Sequence, residues 1–427
     1  MGTLLRSFAA LLLLAAPLRS QEPSFLIVMV DDVGVDRIAA YGLGADPGRT
    51  PNIDGLAADG VLFRHAYANP VCSPTRATLL TGRHSFRTEI GNIIRKSDSP
   101  TALALSEVTL PEILGTRYTS AVLGKWHLST PHFSPLHPVH SGFDVASGSI
   151  FNLGPGSYYE WQKTVNGHQR RSRTYATTDT IDDAIRAVRN LPEPWLIYVA
   201  LHAAHRPLHK PPPWLHSYNL TSPPAADPVT HVKAAVEAMD TEFGRLLAEV
   251  DRGATTVFFL GDNGTAEHAV EPPFIPSQAK GTVYDGGVRV PFIVAGTAVR
   301  QQGVECTALI NTTDVFATIA ELAGRPSLAE DSVSLVPYLD DAATPSLREW
   351  VYSEFFTPNG PGPYDAYLQM VRGPRYKLVR IRHEQRLELY DMQQDPFEQS
   401  DLLLQPVLSA GERAAFDRLR HQLDSMR

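Results

Sequence analysis

The sequence predicts an α/β protein: a mixed, mostly parallel sheet flanked by helices, followed by a smaller C-terminal α+β part. Three observations carry this. Continuous apolar runs such as Ser24–Val30 (SFLIVMV), Trp195–Leu201 (WLIYVAL) and Thr255–Leu260 (TTVFFL) read as strands buried on both faces. Segments with apolar residues at helical spacing alternate with them. Most of the runs end in a chemically capable residue, at the strand ends where open α/β sheets bind ligands.

In chain order, Arg6 precedes an unbroken apolar stretch from Phe8 to Ala16, which Pro17 interrupts, and Ser20 offers a cleavage point. The stretch is too short to span a bilayer, so residues 1–20 read as a signal peptide. The mature chain is then exported (periplasmic, secreted or in a secretory-pathway lumen), with no stable membrane span. Ser24–Val30 ends at Asp31-Asp32, and Ser120–Leu123 leads into Gly124-Lys125-Trp126-His127. Ile181, Ala184, Ile185 and Val188 mark a helix. Trp195–Leu201 leads into His202 and His205, and a second helix runs through Val232, Val236, Met239, Phe243 and Leu247. Thr255–Leu260 leads into Gly261-Asp262-Asn263-Gly264, and Val290–Val294 is a further strand. After Ala323-Gly324-Arg325-Pro326 the pattern loosens. Strand-like pieces follow at Trp350–Phe356, Tyr367–Arg372 and Tyr376–Arg382, then a helix over Ser409–Leu423, with Ser409 and Glu412 spaced for a capping box. These place a main domain over 21–329 and a C-terminal subdomain of antiparallel sheet and helix over 330–427.

The 427 residues are 43% hydrophobic, enough for a large core. A net charge of −8 and the lack of any basic run interleaved with aromatics exclude nucleic acid as a partner. An acidic chain acting on an anion must place its cations locally. Only two cysteines exist, Cys72 and Cys306, so there is no disulfide framework. Cys306 reads as a small buried hydrophobe. Asn219, Asn263 and Asn311 each begin an Asn-X-Thr pattern.

Asp31, Asp32, Asp262 and Asn263 offer hard oxygen donors suited to Ca²⁺ or Mg²⁺ and nothing soft for zinc. A lone Asp-Asp pair reads as a turn or cap, but here two pairs each close an apolar strand. In Cys72–Gly82, Ser73 resembles an N-cap, Pro74 suits a first turn and Gly82 a stop. Cys72 would sit just before a helix N-terminus, which favours an anion, with Arg76 able to reach back. On spacing alone, a plain buried cysteine is an equal reading.

Cys72-x-Pro74-x-Arg76 followed by Leu79-Leu80-Thr81-Gly82 closely resembles the signature of type I, arylsulfatase-like, formylglycine-dependent sulfatases. The resemblance runs along nearly the whole mature chain. It includes Asp31-Asp32, Gly124-Lys125-Trp126-His127-Leu128, His202 to Pro207, Gly261 to Gly264, Lys280-Gly281-Thr282, Gly286 to Pro291, and Leu389-Tyr390-Asp391 with Asp395 to Glu398. It implies an alkaline-phosphatase-like fold, with residues 21–329 as the catalytic domain. It also implies a sulfuric ester hydrolase that releases inorganic sulfate from an aryl or carbohydrate sulfate ester. The route implied is a covalent sulfo-enzyme intermediate on a formylglycine made from Cys72 by a formylglycine-generating enzyme. The implied cofactor is Ca²⁺, with Mg²⁺ the alternative, held by Asp31, Asp32, Asp262, Asn263 and the modified Cys72. Arg76, Lys125 and Lys280 would neutralise substrate charge. His205, assisted by Lys280, would protonate the leaving alcohol, and His127 would take the second diol proton.

Lys125, His202, His205 and Lys280 would contact substrate, with a structural role at the strand end equally open for His202. The serine that the family often places on the sulfate is Ser147 or Ser149. Trp126 and Arg289 read as structural. The chain departs from the family at Thr75 and Ser129, where serine and glycine are usual, and at Gly261, where serine or threonine is. Two other readings stand beside this one: a phosphoester or phosphonate hydrolase on the same scaffold, or a sulfated-glycan binder whose Cys72 is never converted. Specificity would lie in loops such as Phe151–Arg173 and His209–Pro228.

Overall fold

Every residue of β1 (Ser24–Val30) is buried, and the strand pairs in parallel on both sides. The computed structural model describes residues 22–95, 101–130, 133–154, 158–326 and 329–426, so the expected signal peptide lies outside the described residues. The strands that follow are β2 (Gly60–Tyr67), β3 (Thr119–Lys125), β4 (Val145–Ser149), β5 (Trp161–Val165), β6 (His168–Ser172), β7 (Trp195–Ala200), β8 (Thr255–Gly261), β9 (Phe292–Gly296) and β10 (Val304–Asn311). They form one sheet in the order β10-β2-β9-β8-β1-β7-β3-β4-β5-β6. The five central strands, β8-β1-β7-β3-β4, run parallel, so their carboxyl ends share one edge.

Alternate residues of β1 face opposite sides of the sheet, as strand geometry requires. Phe25, Ile27 and Met29 join a core with Leu79, Leu80, Phe316 and Ile319, which come from α1 (Cys72–Thr81) and a helix at Asp314–Leu322. Leu26, Val28 and Val30 join a second core with Ile181 and Ile185 of α2 (Ala176–Asn190) and Val236 and Phe243 of α3 (Pro228–Leu247). Both helices read from the sequence are therefore present on one face.

A second, antiparallel sheet contains β11 (Val351–Thr357), β12 (Ala366–Arg372), β13 (Tyr376–Ile381) and β14 (Arg386–Asp391). The C-terminal helix α4 (Ala410–Ser425) covers one face through Phe416, Leu419 and Leu423, and its capping box joins Ser409 and Glu412. Met370, Val379 and Ile381 on the other face pack with Tyr67, Val283 and Val288 of the main domain. A buried charge cluster seals this junction. Lys377 Nζ lies 2.9 Å from Asp285 Oδ1 and 2.6 Å from Glu398 Oε1. Tyr67 donates to Asp285 Oδ2 at 3.1 Å, and the Asp285 amide donates to Glu398 Oε2 at 2.5 Å.

Several expectations need correction. Strand β9 starts at Phe292, not Val290, because Pro291 has no N–H to give a ladder and the Val290 amide bonds Ala66 instead. Helix α1 begins at Cys72 with Val71 as its N-cap, so Ser73 lies inside the helix. The Ser73 hydroxyl donates to the His127 carbonyl and accepts from the Ile94 amide. Leu335, Tyr338 and Leu339 belong to the main core, and the small sheet starts only at Val351. Asn311 is buried, bonded to the carbonyls of Tyr67 and Tyr352, and so is closed to glycosylation.

Candidate active site

The sheet edge gathers the reactive residues because β1, β7, β3, β4 and β8 all end there. In register, Val30 faces Gly261, and Lys125 faces Ser149. Asp31 and Asp32 follow β1, Asp262 and Asn263 follow β8, and His202 and His205 follow β7. From the other half of the sheet, β2 leads through Ala68–Val71 into α1, which puts Cys72 at the start of that helix. The close approach of β3 to β7 requires glycine at 124: its φ is +100° and a Cβ there would lie 2.1 Å from the Ala200 carbonyl oxygen. Asp32 (φ 60°) and His127 (φ 57°) hold left-handed backbone, which costs about 1–3 kcal/mol each in a non-glycine residue and clusters at functional sites.

Cys72 Sγ is fully buried, 3.4 Å from Asp31 Oδ1 and 3.6 Å from Lys280 Nζ. Arg76 reaches back as expected, though to carboxylates: 3.1 Å to Asp31 and 2.8 Å to Asp262, with a further bond to the Lys125 carbonyl. Lys125 donates to Asp31, and Lys280 to Asp32. Asn263 Nδ2 donates to Asp32 at 2.9 Å, and the Asp32 amide bonds Asp262. Donor atoms of Asp31, Asp32, Cys72 and His205 lie within 4.8 Å of one another. Three carboxylates and three cations thus surround one thiol.

These charges set the ionisation of their neighbours. Burial alone would raise the Asp31 carboxyl, but Lys125, His205, Arg76 and Lys280 outweigh it and hold it well below the usual range. Asp262 goes the other way, to about 6, from burial and the nearby Asp31 charge. Burial, then Asp262 and Asp31, push the Cys72 thiol far up, so it stays protonated. An unmodified thiol in this setting is a poor nucleophile.

The imidazoles have defined tautomers. His127 Nε2 lies 3.1 Å from the Ile94 carbonyl, so Nε2 carries the hydrogen. Its Nδ1 is buried with no partner among the described residues, and burial together with Lys125 and Arg76 keeps the ring neutral. His127 therefore presents a bare lone pair. His205 is half-buried. Its Nδ1 lies 2.7 Å from the Arg206 carbonyl, which fixes the hydrogen there, and burial pushes its pKa down to about 4. Ser149 donates to the Phe151 carbonyl, so His202 Nε2 donates to Ser149 Oγ across 2.7 Å, and burial lowers His202 to about 3.

Of the two serine candidates, Ser149 meets His202, whereas Ser147 donates to Asp183 of α2, 2.5 Å away. Trp126 is buried and donates to His137, and Arg289 donates to the Arg64 carbonyl, both structural contacts. A Cβ at Gly261 would lie 2.6 Å from the Val33 carbonyl oxygen, so the serine or threonine usual in the family does not fit without a shift. One residue that sequence reasoning missed is Tyr158. Its hydroxyl donates to the carbonyls of His202 (2.8 Å) and His205 (2.9 Å) and so holds the histidine loop. No motif marks it.

The oxygen set fits a hard cation. Asn263 Oδ1 is buried without a partner among the described residues, beside the carboxylates of Asp31, Asp32 and Asp262, so it has a lone pair to give.

With this geometry in place, the comparisons agree. Residues 23–325 match the Sulfatase family, and residues 278–426 match the N-sulphoglucosamine sulphohydrolase C-terminal family. The chain belongs to the sulfatase family. Its relatives include N-acetylgalactosamine-6-sulfatase of Homo sapiens, 31% identical over 75% of this chain and 66% of that protein. Arylsulfatase G of Rattus norvegicus is 30% identical over 85% and 76%, and arylsulfatase J of Mus musculus 26% over 71% and 53%. The chain spans about half to two thirds of the length of the first and third of these relatives. The fold is shared with Ps i-CgsB, solved with a k-i-k-neocarrahexaose (TM-score 0.80, 22% identity, 95% of this chain and 92% of that one). It is also shared with a protein solved with its substrate D-glucosamine-2-N,6-O-disulfate (TM-score 0.74, 19% identity, 95% and 97%). No helix among the described residues is long and apolar enough to cross a membrane.

Proposed function

We propose that this chain is an exported sulfuric ester hydrolase that releases inorganic sulfate from a carbohydrate or aryl sulfate ester, with a formylglycine made from Cys72 as nucleophile. The observation that carries this reading is the placement of Cys72: a protonated, sealed thiol at the centre of three carboxylates and three cations. The hydrate of a formylglycine would supply one oxygen to attack sulfur and a second hydroxyl to drive sulfate out. A formylglycine-generating enzyme is the partner this requires during maturation. The glycan alternative draws support from the ligands of the two structural neighbours and from the sulfated sugar in the name of the human relative.

Asp31, Asp32, Asp262 and Asn263 would hold Ca²⁺, or Mg²⁺ in its place, which would polarise the sulfuryl oxygens. Arg76, Lys125 and Lys280 place positive charge where the transferring group gains negative charge, inside a largely buried site. Burial would lower the Lys280 ammonium, but the carboxylates of Asp32, Asp31 and Asp262 hold it charged, so it can orient the ester and assist the leaving oxygen. His127 is the base for the second hydroxyl, through its bare Nδ1. His205 rests neutral. A bound sulfate ester brings negative charge beside it, opposes that shift and favours the imidazolium that protonates the leaving alcohol. Ser149 and His202 line the site as a bonded pair, with Ser149 the serine nearer the sulfate.

The mass of the Cys72 peptide from natural material tests the nucleophile. An aldehyde or its hydrate is expected; unmodified thiol throughout would overturn the proposal. Sulfate and phosphate esters of one alcohol test the reaction, and a large preference for phosphate would reject it. Chelation should inactivate the enzyme and Ca²⁺ restore it better than Zn²⁺; full activity after exhaustive chelation would remove the metal.

A further inference from the structure

A cavity of about 620 Å³ lies between the end of β4 and the β5–β6 hairpin, a size within the usual range for small-molecule sites. It adjoins the candidate active site. Ser149, the hydrogen-bond partner of His202, is in its wall. Phe151, also in the wall, sits with its ring centroid 6.4 Å from that of His127, and Trp161 sits 6.2 Å from His202. A group attached to a sulfate ester held at Cys72 therefore has this space beside it.

The wall chemistry selects the occupant. Thr130 Oγ1 and Asn152 Oδ1 lie behind the wall, buried from the accessible surface, so the polar groups open to an occupant are mainly those of the hairpin. On the hairpin, Gln162 donates to Gln169 across 2.7 Å. That bond uses one donor and one acceptor, and each amide has a complementary group left to offer. Amide groups beside aromatic rings match the alternating O–H and C–H surfaces of a pyranose. The only charge in the described wall is Glu160, so a second sulfate placed here would meet repulsion and no cation.

We propose that this cavity is a subsite for one neutral, unsulfated sugar next to the sulfated unit. The inference rests on the sulfatase reading above and narrows its substrate class to a glycan sulfated sparsely rather than at every residue.

The test compares galactose carrying one sulfate at O2, O3, O4 or O6 with the same esters joined on either side to one unsulfated galactose. At least one extended ester should show kcat/KM about tenfold above its unextended counterpart, the worth of one or two hydrogen bonds. In a Gln162→Ala/Gln169→Ala variant, the extended and unextended esters should react alike. No gain from extension in any ester, or a gain that survives the double variant, would overturn the subsite. Saturation-transfer NMR with lactose needs no turnover and separates the two proposals. Lactose contacts that vanish in the double variant, in a protein that releases sulfate from nothing, would keep the subsite and reject the hydrolase. Sulfate release with no lactose contact in the wild-type protein would do the reverse.

Discussion

The charge cluster around Cys72 and the one that joins the two sheets use the same kinds of group and differ in what they leave open. At the junction, Asp285 and Glu398 have all four carboxylate oxygens within 3.1 Å of Lys377, Tyr67 or a backbone N–H. Around Cys72 the carboxylates are also paired. Yet three lone-pair atoms, Asn263 Oδ1, His127 Nδ1 and His202 Nδ1, are buried with no partner among the described residues. Buried charge is thus not what distinguishes a site from a clasp. The site differs in degree: at the junction Glu398 Oε1, held by Lys377 at 2.6 Å, also lacks a well-aligned hydrogen bond, whereas around Cys72 three such acceptors gather in one place.

The comparison is broken most severely at Cys72. Cys72→Ala should lower turnover by about 10⁴- to 10⁶-fold while the protein still folds, as loss of a nucleophile does elsewhere. Steady-state sulfate release and a thermal melt measure the two halves, and retained turnover would reject the assignment. At the junction, Lys377→Met should do the opposite. It removes the ammonium that Asp285 and Glu398 share, a loss of about 3–5 kcal/mol in stability, with turnover per folded molecule kept. Denaturant unfolding combined with activity of the folded fraction decides it.

A smaller effect is pH-dependent. Burial first, and then Asp285, raise Glu398 from 4.5 to about 7 against the pull of Lys377. The folded state therefore keeps a proton that the unfolded chain has shed, so this contribution is complete below pH 4.5 and lost as pH rises through 7. Asp285 acts in the opposite sense: burial would raise it, but Lys377, Arg372 and Arg289 hold it low, and its contribution disappears only in acid. Melting temperature should fall between pH 5 and 7.5, by at most about 3 kcal/mol of stability. Glu398→Gln should flatten that slope, and an equally steep slope in the variant would reject the assignment. The smallest effect separates two neighbours. Ser149→Ala should lower kcat/KM about tenfold, whereas Ser147→Ala, whose hydroxyl is spent on Asp183, should leave it nearly unchanged. Equal effects would remove the distinction.

The parts legible in the sequence were those where burial on both faces leaves no ambiguity. SFLIVMV, WLIYVAL and TTVFFL, short and rich in β-branched and aromatic residues, read as central strands, and their ends carry the residues found around Cys72. Strand β2 was missed because Arg64 and His65 break its apolar run; Arg64 turns instead to Glu305 and the Tyr41 carbonyl. Strand β6, His168–Ser172, is polar at every position and exposed at nearly all of them, as suits a sheet edge, and gives no strand pattern. Ser147 and Ser149 could not be told apart because they share strand parity. Only the pairing of Ser149 with Lys125 brings it to the sheet edge. Ser73 looked like a cap because serine favours that position, but its hydroxyl is used to tie His127 to the 94 loop.

The depth of Cys72 has a consequence in time. Its sulfur touches Asp31, 41 positions earlier, and Lys280, 208 positions later, and no part of the residue reaches the surface. Any enzyme that is to alter it must do so before those distant segments arrive. If Cys72 is converted as proposed, conversion and folding would run as a race, and a chain that closed first would be sealed with its thiol intact.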